Sequence, residues 1–159
     1  MHVVVATDGS PQSLTAARHL TSFADPARIT AIWVVAVVRP LASVAFADEI
    51  SEAEQHEIGA GTGSFRAAAQ RAVGAVAAVF DGWGPDVHGQ VRSGSPAVEI
   101  IKAATEHEAG LVVVAAGGRG LSDVILVGGT AQRVQHYAPC PVLVVRPAPG
   151  PGKAARRTS

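Results

Sequence analysis

The segment Gly117-Gly118-Arg119-Gly120-Leu121-Ser122-Asp123-Val124-Ile125-Leu126-Val127-Gly128-Gly129-Thr130 concentrates five glycines in two clusters. Glycines lack Cβ, so their backbone N–H groups can turn toward an anion and a phosphate can come close. The second cluster opens a helix, whose N-terminal N–H groups and dipole favour negative charge. Thr130 offers a hydroxyl donor at that helix start, and Arg119 is a cation suited to pairing with a phosphate. Asp123 works the other way, repelling a phosphate unless a magnesium ion intervenes. The same glycines would also serve a tight strand-to-helix connection, and the residues alone leave both readings open. A second candidate, Thr7-Asp8-Gly9-Ser10, follows an apolar run. Asp8 can cap its own turn or face a ligand. Ser10 suits a helix N-cap better than a nucleophile, because no histidine or acid is placed by sequence to activate it.

Other chemistries fail on residue type or spacing. A Walker loop needs Gly-Lys-Ser/Thr, but Lys102 and Lys153 are the two lysines and Gly152-Lys153 is followed by Ala154. A dinucleotide fingerprint needs Gly-x-Gly-x-x-Gly directly after a strand, and the first turn reads Asp8-Gly9-Ser10-Pro11 instead. Gly59-Ala60-Gly61-Thr62-Gly63 follows an acidic stretch and reads as a helix break or loop. A phosphoacceptor receiver would want paired acids after the first strand and a terminal lysine, where this chain has Asp8 alone and Arg146. The six histidines stand singly, with no HxH or HxxxH pair, so no metal site is expected. The single cysteine, Cys140, excludes an internal disulfide and reads as a buried, inert thiol. No residue is an evident general base, so no enzymatic activity is expected beyond, at most, slow ATP hydrolysis.

The elements that must position these loops alternate along the chain. Val3-Val4-Val5-Ala6 is a strand, and Ser10-Pro11 opens a helix with an apolar stripe at Leu14, Ala17 and Leu20. Residues 29–38 form a second strand, apolar nearly throughout, as befits a parallel sheet covered on both faces. Residues 48–57 and 65–80 read as two helical stretches parted by the glycines between them. Strands at 87–91, 111–116 and 141–146 alternate with helices from Gly94-Ser95-Pro96 to 108 and over 130–137. This β-α-β-α-β-α-β-α-β order predicts one doubly wound α/β domain with right-handed crossovers. Ligands in such sheets bind beyond the carboxyl ends of the strands, where both glycine-containing loops fall.

The 159 residues suit a single domain, and 48% hydrophobic content with 4% aromatic implies a core of Ala, Val, Leu and Ile. Thirteen basic side chains balance thirteen acidic ones, so no global charge attracts nucleic acid or a membrane. Lys153, Arg156 and Arg157 lie in the last seven residues, and without them the net charge is −3. Residues 147–159 read as a disordered basic tail after a domain spanning 1–146. No apolar run approaches the roughly 20 residues a membrane helix needs. No secretory signal is visible, so a cytoplasmic setting is expected.

Four blocks in order make the sequence resemble the universal stress protein family: Val4-Val5-Ala6-Thr7-Asp8-Gly9-Ser10, Gly94-Ser95-Pro96-Ala97, Gly117 to Gly120, and Gln132-Arg133-Val134 with His136-Tyr137-Ala138-Pro139-Cys140-Pro141-Val142-Leu143-Val144-Val145-Arg146. The resemblance implies a five-stranded parallel sheet of order 3-2-1-4-5, with helices on both faces. It also implies homodimers that pair their last strands, here Val142, Leu143, Val144 and Val145. Nucleotide-binding members carry Gly-x2-Gly-x9-Gly-Ser/Thr. Carried over, Asp8 would contact the ribose or adenine side and Val37 would border the adenine. Gly117 and Gly120 would approach the phosphates from one side, and Gly128, Gly129 and Thr130 from the other.

The spacing departs from that pattern. Seven residues separate Gly120 from Gly128, and eight separate it from Gly129. Anchored on Gln132-Arg133, Gly128 is the family glycine and Gly129 stands where Ser or Thr belongs. Anchored on chemistry, Gly129 pairs with Thr130, one residue short. The expectation is a stress-related regulatory homodimer that binds ATP or AMP, with or without magnesium. The alternative is a nucleotide-free dimeric interaction module with a degenerate phosphate loop.

Overall fold

A computed structural model describes residues 1–40, 52–117 and 128–146, with the backbone alone over 52–62. In chain order the elements are β1 (His2–Thr7), α1 (Pro11–Phe23), a 3-10 turn (Pro26–Arg28), β2 (Ala31–Val38), α2 (Glu52–Ala78), β3 (Asp86–Ser93), α3 (Pro96–Glu106), β4 (Ala109–Ala115), α4 (Gly129–Tyr137) and β5 (Val142–Val145). The strands form one sheet in the order β3-β2-β1-β4-β5, and every described pairing is parallel. The doubly wound architecture expected from the alternation is the one observed.

Alternation within each strand feeds two cores. Val3 and Val5 point to one face with Ile32, Val34 and Val113, and there they meet Leu20 of α1 and Val73, Val76 and Phe80 at the end of α2 and beyond. Val4 points to the other with Val35, Val112 and Val114, and packs against Ile100 of α3 and Val134 of α4. Both faces of the central strands are therefore dry. Period-2 polarity is absent from β1, β2 and β4 because no face of them meets water.

The glycines at 59, 61 and 63 do not divide the segment: α2 runs unbroken from Glu52 to Ala78, a correction to the two-helix expectation. Each glycine costs about 1 kcal/mol against alanine, but a glycine ends a helix only where it turns left-handed at a cap. None of the residues from 52 to 78 is proline. The buried Val73, Val76 and Phe80 fix the far end of the segment on the sheet, each worth about 2 kcal/mol of apolar burial. The stretch expected at 48–51 lies outside the described residues.

One glycine with no sequence signal is demanded by this packing. A Cβ on Gly89, in β3, would come within 2.5 Å of Val73 Cγ1 in α2. The helix lies against β3 because that side chain is missing.

At the far edge, Arg92 ties β3 to α3. Its Nε donates to Glu99 Oε2 at 2.9 Å, and its two terminal nitrogens donate to the Glu106 carboxylate at 2.7 and 3.0 Å. The guanidinium hydrogen bond lowers the pKa of both carboxyls. Next to it, the Trp33 ring stacks on His107 at 3.6 Å and on His88 at 4.4 Å between centroids. Trp33 thus packs between a residue of β3 and the C-cap of α3.

Candidate functional site

The order β3-β2-β1-β4-β5 places the reversal of winding between β1 and β4. Crossovers from β1 run one way to β2, and β4 lies on the opposite side. In sheets of this kind ligands bind beyond the carboxyl ends of the strands at such a switch point. The loop after β1 is Asp8–Ser10, and the chain after β4 passes through Ala116 and Gly117 before returning at Gly128.

The first loop is tightly built. Ser10 is the N-cap of α1, with φ −78° and ψ 156°, and its Oγ accepts from the Ser13 N–H at 3.3 Å. Pro11 follows at the first helical position, where its missing N–H costs no hydrogen bond. Gly9 has φ +78°, the left-handed region where a side chain is strained, and a Cβ there would touch Ala72 at 3.5 Å. Asp8 is exposed, and its Oδ1 accepts from the Ser10 N–H at 2.9 Å. The carboxylate thus caps its own turn and faces solvent at the carboxyl edge, so the two roles open to it are compatible.

The second loop shows its two ends. Gly117 has φ +56°, a left-handed turn directly after β4. Gly128 is the N-cap of α4, and a Cβ on it would lie 3.8 Å from the Gly117 backbone. The chain thus leaves β4 and enters α4 at neighbouring points. A side chain at Gly128 would be in ordinary contact there, whereas the left-handed φ at Gly117 favours glycine, and α4 begins at the carboxyl end of the sheet. Gly129 and Thr130 form its first turn, where free N–H groups point outward. A Cβ on Gly129 would meet nothing within 4 Å, so its lack of a side chain is not imposed by crowding. Gly120 and Arg119 lie outside the described residues.

Val37 occupies the carboxyl-terminal part of β2, half-buried, and packs with the core around Val35 and Val144. Asp8, Val37, Gly117, Gly128, Gly129 and Thr130 all lie at the carboxyl side of the sheet. Sequence reasoning included Thr7 in the first loop without giving it a role and did not find Ser13; these two hydroxyl residues brace the loop from below. Their signal was a polar side chain at a position where the pattern calls for an apolar one.

Elsewhere the surface offers less. A hollow of about 370 Å³, lined by Pro26, Ile29, Trp83 and Pro85 among others, opens at the amino ends of β2 and β3. It is the end toward which α1 and α2 direct their C-termini, whose dipoles disfavour an anion. The carboxyl edge, where α4 begins, is the better candidate for an anion. No group of three or more metal-ligating side chains occurs among the described residues. The Cys140 thiol is half-buried, and burial pushes its pKa up, which suits an inert thiol. No described helix is long and apolar enough to cross a membrane.

Comparison with known proteins agrees with this architecture. The sequence model of the universal stress protein family matches residues 1–146. A universal stress protein of Methanocaldococcus jannaschii is 34% identical over 148 residues, covering 91% of this chain and 81% of its own. Among solved structures, a universal stress protein from Lactobacillus plantarum superposes with a TM-score of 0.69 at 22% identity, covering 92% of this chain and 97% of its own. An Arabidopsis thaliana protein of the same family, solved with AMP bound, superposes with a TM-score of 0.60 at 15% identity, covering 92% and 91%. These likenesses at low identity establish the fold, while the family match spans the domain from β1 to β5. The chain belongs to the universal stress protein family.

Proposed function

We propose that this protein is a stress-related regulatory protein that binds an adenine nucleotide, ATP or AMP, at the carboxyl edge between β1 and β4. The observation that carries the reading is the approach of Gly117 to Gly128, beside the first turn of α4. This arrangement presents helix N–H groups at the switch point of the sheet, where phosphates are best received. The AMP bound to the Arabidopsis relative supports the ligand class. In this reading Asp8 takes the ribose or adenine side and Val37 borders the base. Gly117, Gly120 and Arg119 serve the phosphates from one side, and Gly128, Gly129 and Thr130 from the other, with or without magnesium. Nucleotide occupancy then biases a dimer or partner surface, and no enzymatic step is assigned.

The homodimer belongs to the same proposal. β5 lies at the edge of the sheet, and its Val142, Leu143 and Val144 are partly exposed. An apolar edge strand invites pairing, and a second copy of β5 would satisfy it. A second reading rests on the spacing: with seven residues between Gly120 and Gly128, the chain would act as a nucleotide-free dimeric module.

Thermal unfolding with and without Mg-ATP and AMP separates the two, together with acid release of any nucleotide carried through purification. A ligand at a hundredfold excess over Kd adds about 2.7 kcal/mol. At roughly 2–4 °C per kcal/mol for a domain of this size, a shift of several degrees is expected. No shift at millimolar nucleotide, with a clean extract, would leave the dimeric module.

A further inference from the structure

The core of this protein is aliphatic, and among the described residues its buried polar side chains are Thr7, 7% exposed, and Ser13, 2% exposed. A buried hydroxyl costs stability unless it is hydrogen-bonded. Thr7 ends β1, where Val3 and Val5 occupy core positions, so a valine would fit the same pleat. What the hydroxyls do is bond to the loop above them. Ser13 Oγ donates to the Ser10 carbonyl oxygen at 2.8 Å. With that proton committed, the Thr7 hydroxyl donates to Ser13 Oγ, also at 2.8 Å. Thr7 Oγ1 in turn accepts from the Gly9 N–H at 3.1 Å. This closed relay grips the loop at Gly9 and Ser10, on the C-terminal side of Asp8, while β1 holds its N-terminal side.

We propose that Thr7 and Ser13 are positioning residues that fix the Asp8 carboxylate for the nucleoside half of the ligand, an inference that rests on the adenine-nucleotide reading above. Asp8 is exposed. Its direction is set by the turn, through the Ser10 N–H that bonds Oδ1. The left-handed Gly9 makes that turn possible, and the relay selects it over the other shapes a glycine allows. A preorganised carboxylate binds without first ordering its loop, whereas a loosened one must be ordered by the ligand.

The test is isothermal titration of AMP into the wild type, Thr7→Val, Thr7→Ser and Ser13→Ala, each also combined with Asp8→Asn. Thr7→Val keeps the shape and removes the hydroxyl, and Thr7→Ser restores the hydroxyl with less shape. The expected result is an AMP Kd raised about fivefold to tenfold in Thr7→Val and Ser13→Ala, the size of one or two lost hydrogen bonds, with Thr7→Ser close to wild type. In the Asp8→Asn background the same changes should alter Kd by less than about twofold, because their effect passes through Asp8. Unchanged affinity in Thr7→Val, or an equal loss with and without the Asp8 carboxylate, overturns the inference and leaves nucleotide binding standing. Wild type that binds no AMP removes the underlying reading and the inference with it. If Thr7→Val does not fold, Ser13→Ala against Thr7→Ser decides the matter by the same comparison.

Discussion

Gly129→Ser is the substitution that most directly tests how the shortened loop works. The family pattern has Ser or Thr after its last glycine, and anchoring on Gln132-Arg133 puts Gly129 in that place. The structure leaves room: a Cβ at Gly129 meets nothing within 4 Å, and the position is the first of α4. Glycine to serine in a helix gains roughly 0.5 kcal/mol of propensity, which stabilises the free protein without changing its ligand contacts. A new hydroxyl reaching a phosphate is a charge-assisted hydrogen bond, worth about 1.5–3 kcal/mol net. Affinity for Mg-ATP should therefore rise between about 10-fold and 100-fold. Gly129→Ala is the control, since it gains helix propensity and adds no hydroxyl. Titration calorimetry of the two variants beside Thr130→Val then assigns the register. Serine tighter than alanine places the family hydroxyl at 129. Serine equal to alanine, with binding lost in Thr130→Val, shifts the site by one residue onto Thr130. Equality throughout, with Thr130→Val unchanged, would refute the idea that a hydroxyl at the start of α4 serves the ligand.

Three further outcomes follow from the packing. Gly89→Ala should destabilise the fold by about 1–3 kcal/mol, because the new methyl overlaps Val73 Cγ1 and the stiff valine has little room to yield; urea denaturation with an unchanged m-value would measure it. Leu143→Arg, on the partly exposed edge strand, should turn a dimer into a monomer at micromolar concentration, read by light scattering after size exclusion, and a wild type that is already monomeric would count against the β5 interface. Burial lowers the pKa of His107, beside Arg92, His2 and His88 and against the opposing pull of Glu106. A depressed basic group stabilises the fold fully above its ordinary value near 6.5, and that contribution is lost as pH falls through it. Thermal midpoints should therefore fall more steeply below about pH 6.5 in the wild type than in His107→Gln, and parallel curves would exclude His107 as the cause.

How much of this was legible beforehand depended on whether the signal was local. The runs at Val3–Val5, 29–38 and 111–116 announce strands dry on both faces, and Ser10-Pro11 announces the start of α1 by its own chemistry. Gly117 and Gly128 could be marked as a pair from composition, and the structure brings them within contact of one another. The glycines at 59, 61 and 63 misled because a glycine lowers helix propensity without ending a helix, and the segment from Glu52 to Ala78 holds no proline to break it.

The sequence alone determined the alternation of strands and helices, hence the parallel sheet and the end of it at which loops gather. It also determined the family, through motifs spread from Asp8 to Arg146. Tertiary structure decided what joins residues distant along the chain. It set Gly89 against Val73, Arg92 between Glu99 and Glu106, and Trp33 against His88 and His107. It also turned Thr7 and Ser13 from ordinary hydroxyls into the brace beneath Asp8. Periodicity and turn chemistry act over a few residues and can be read directly. Close approach, ion pairing and burial of a hydroxyl depend on which surfaces the folded sheet and helices bring together, and no local pattern encodes that.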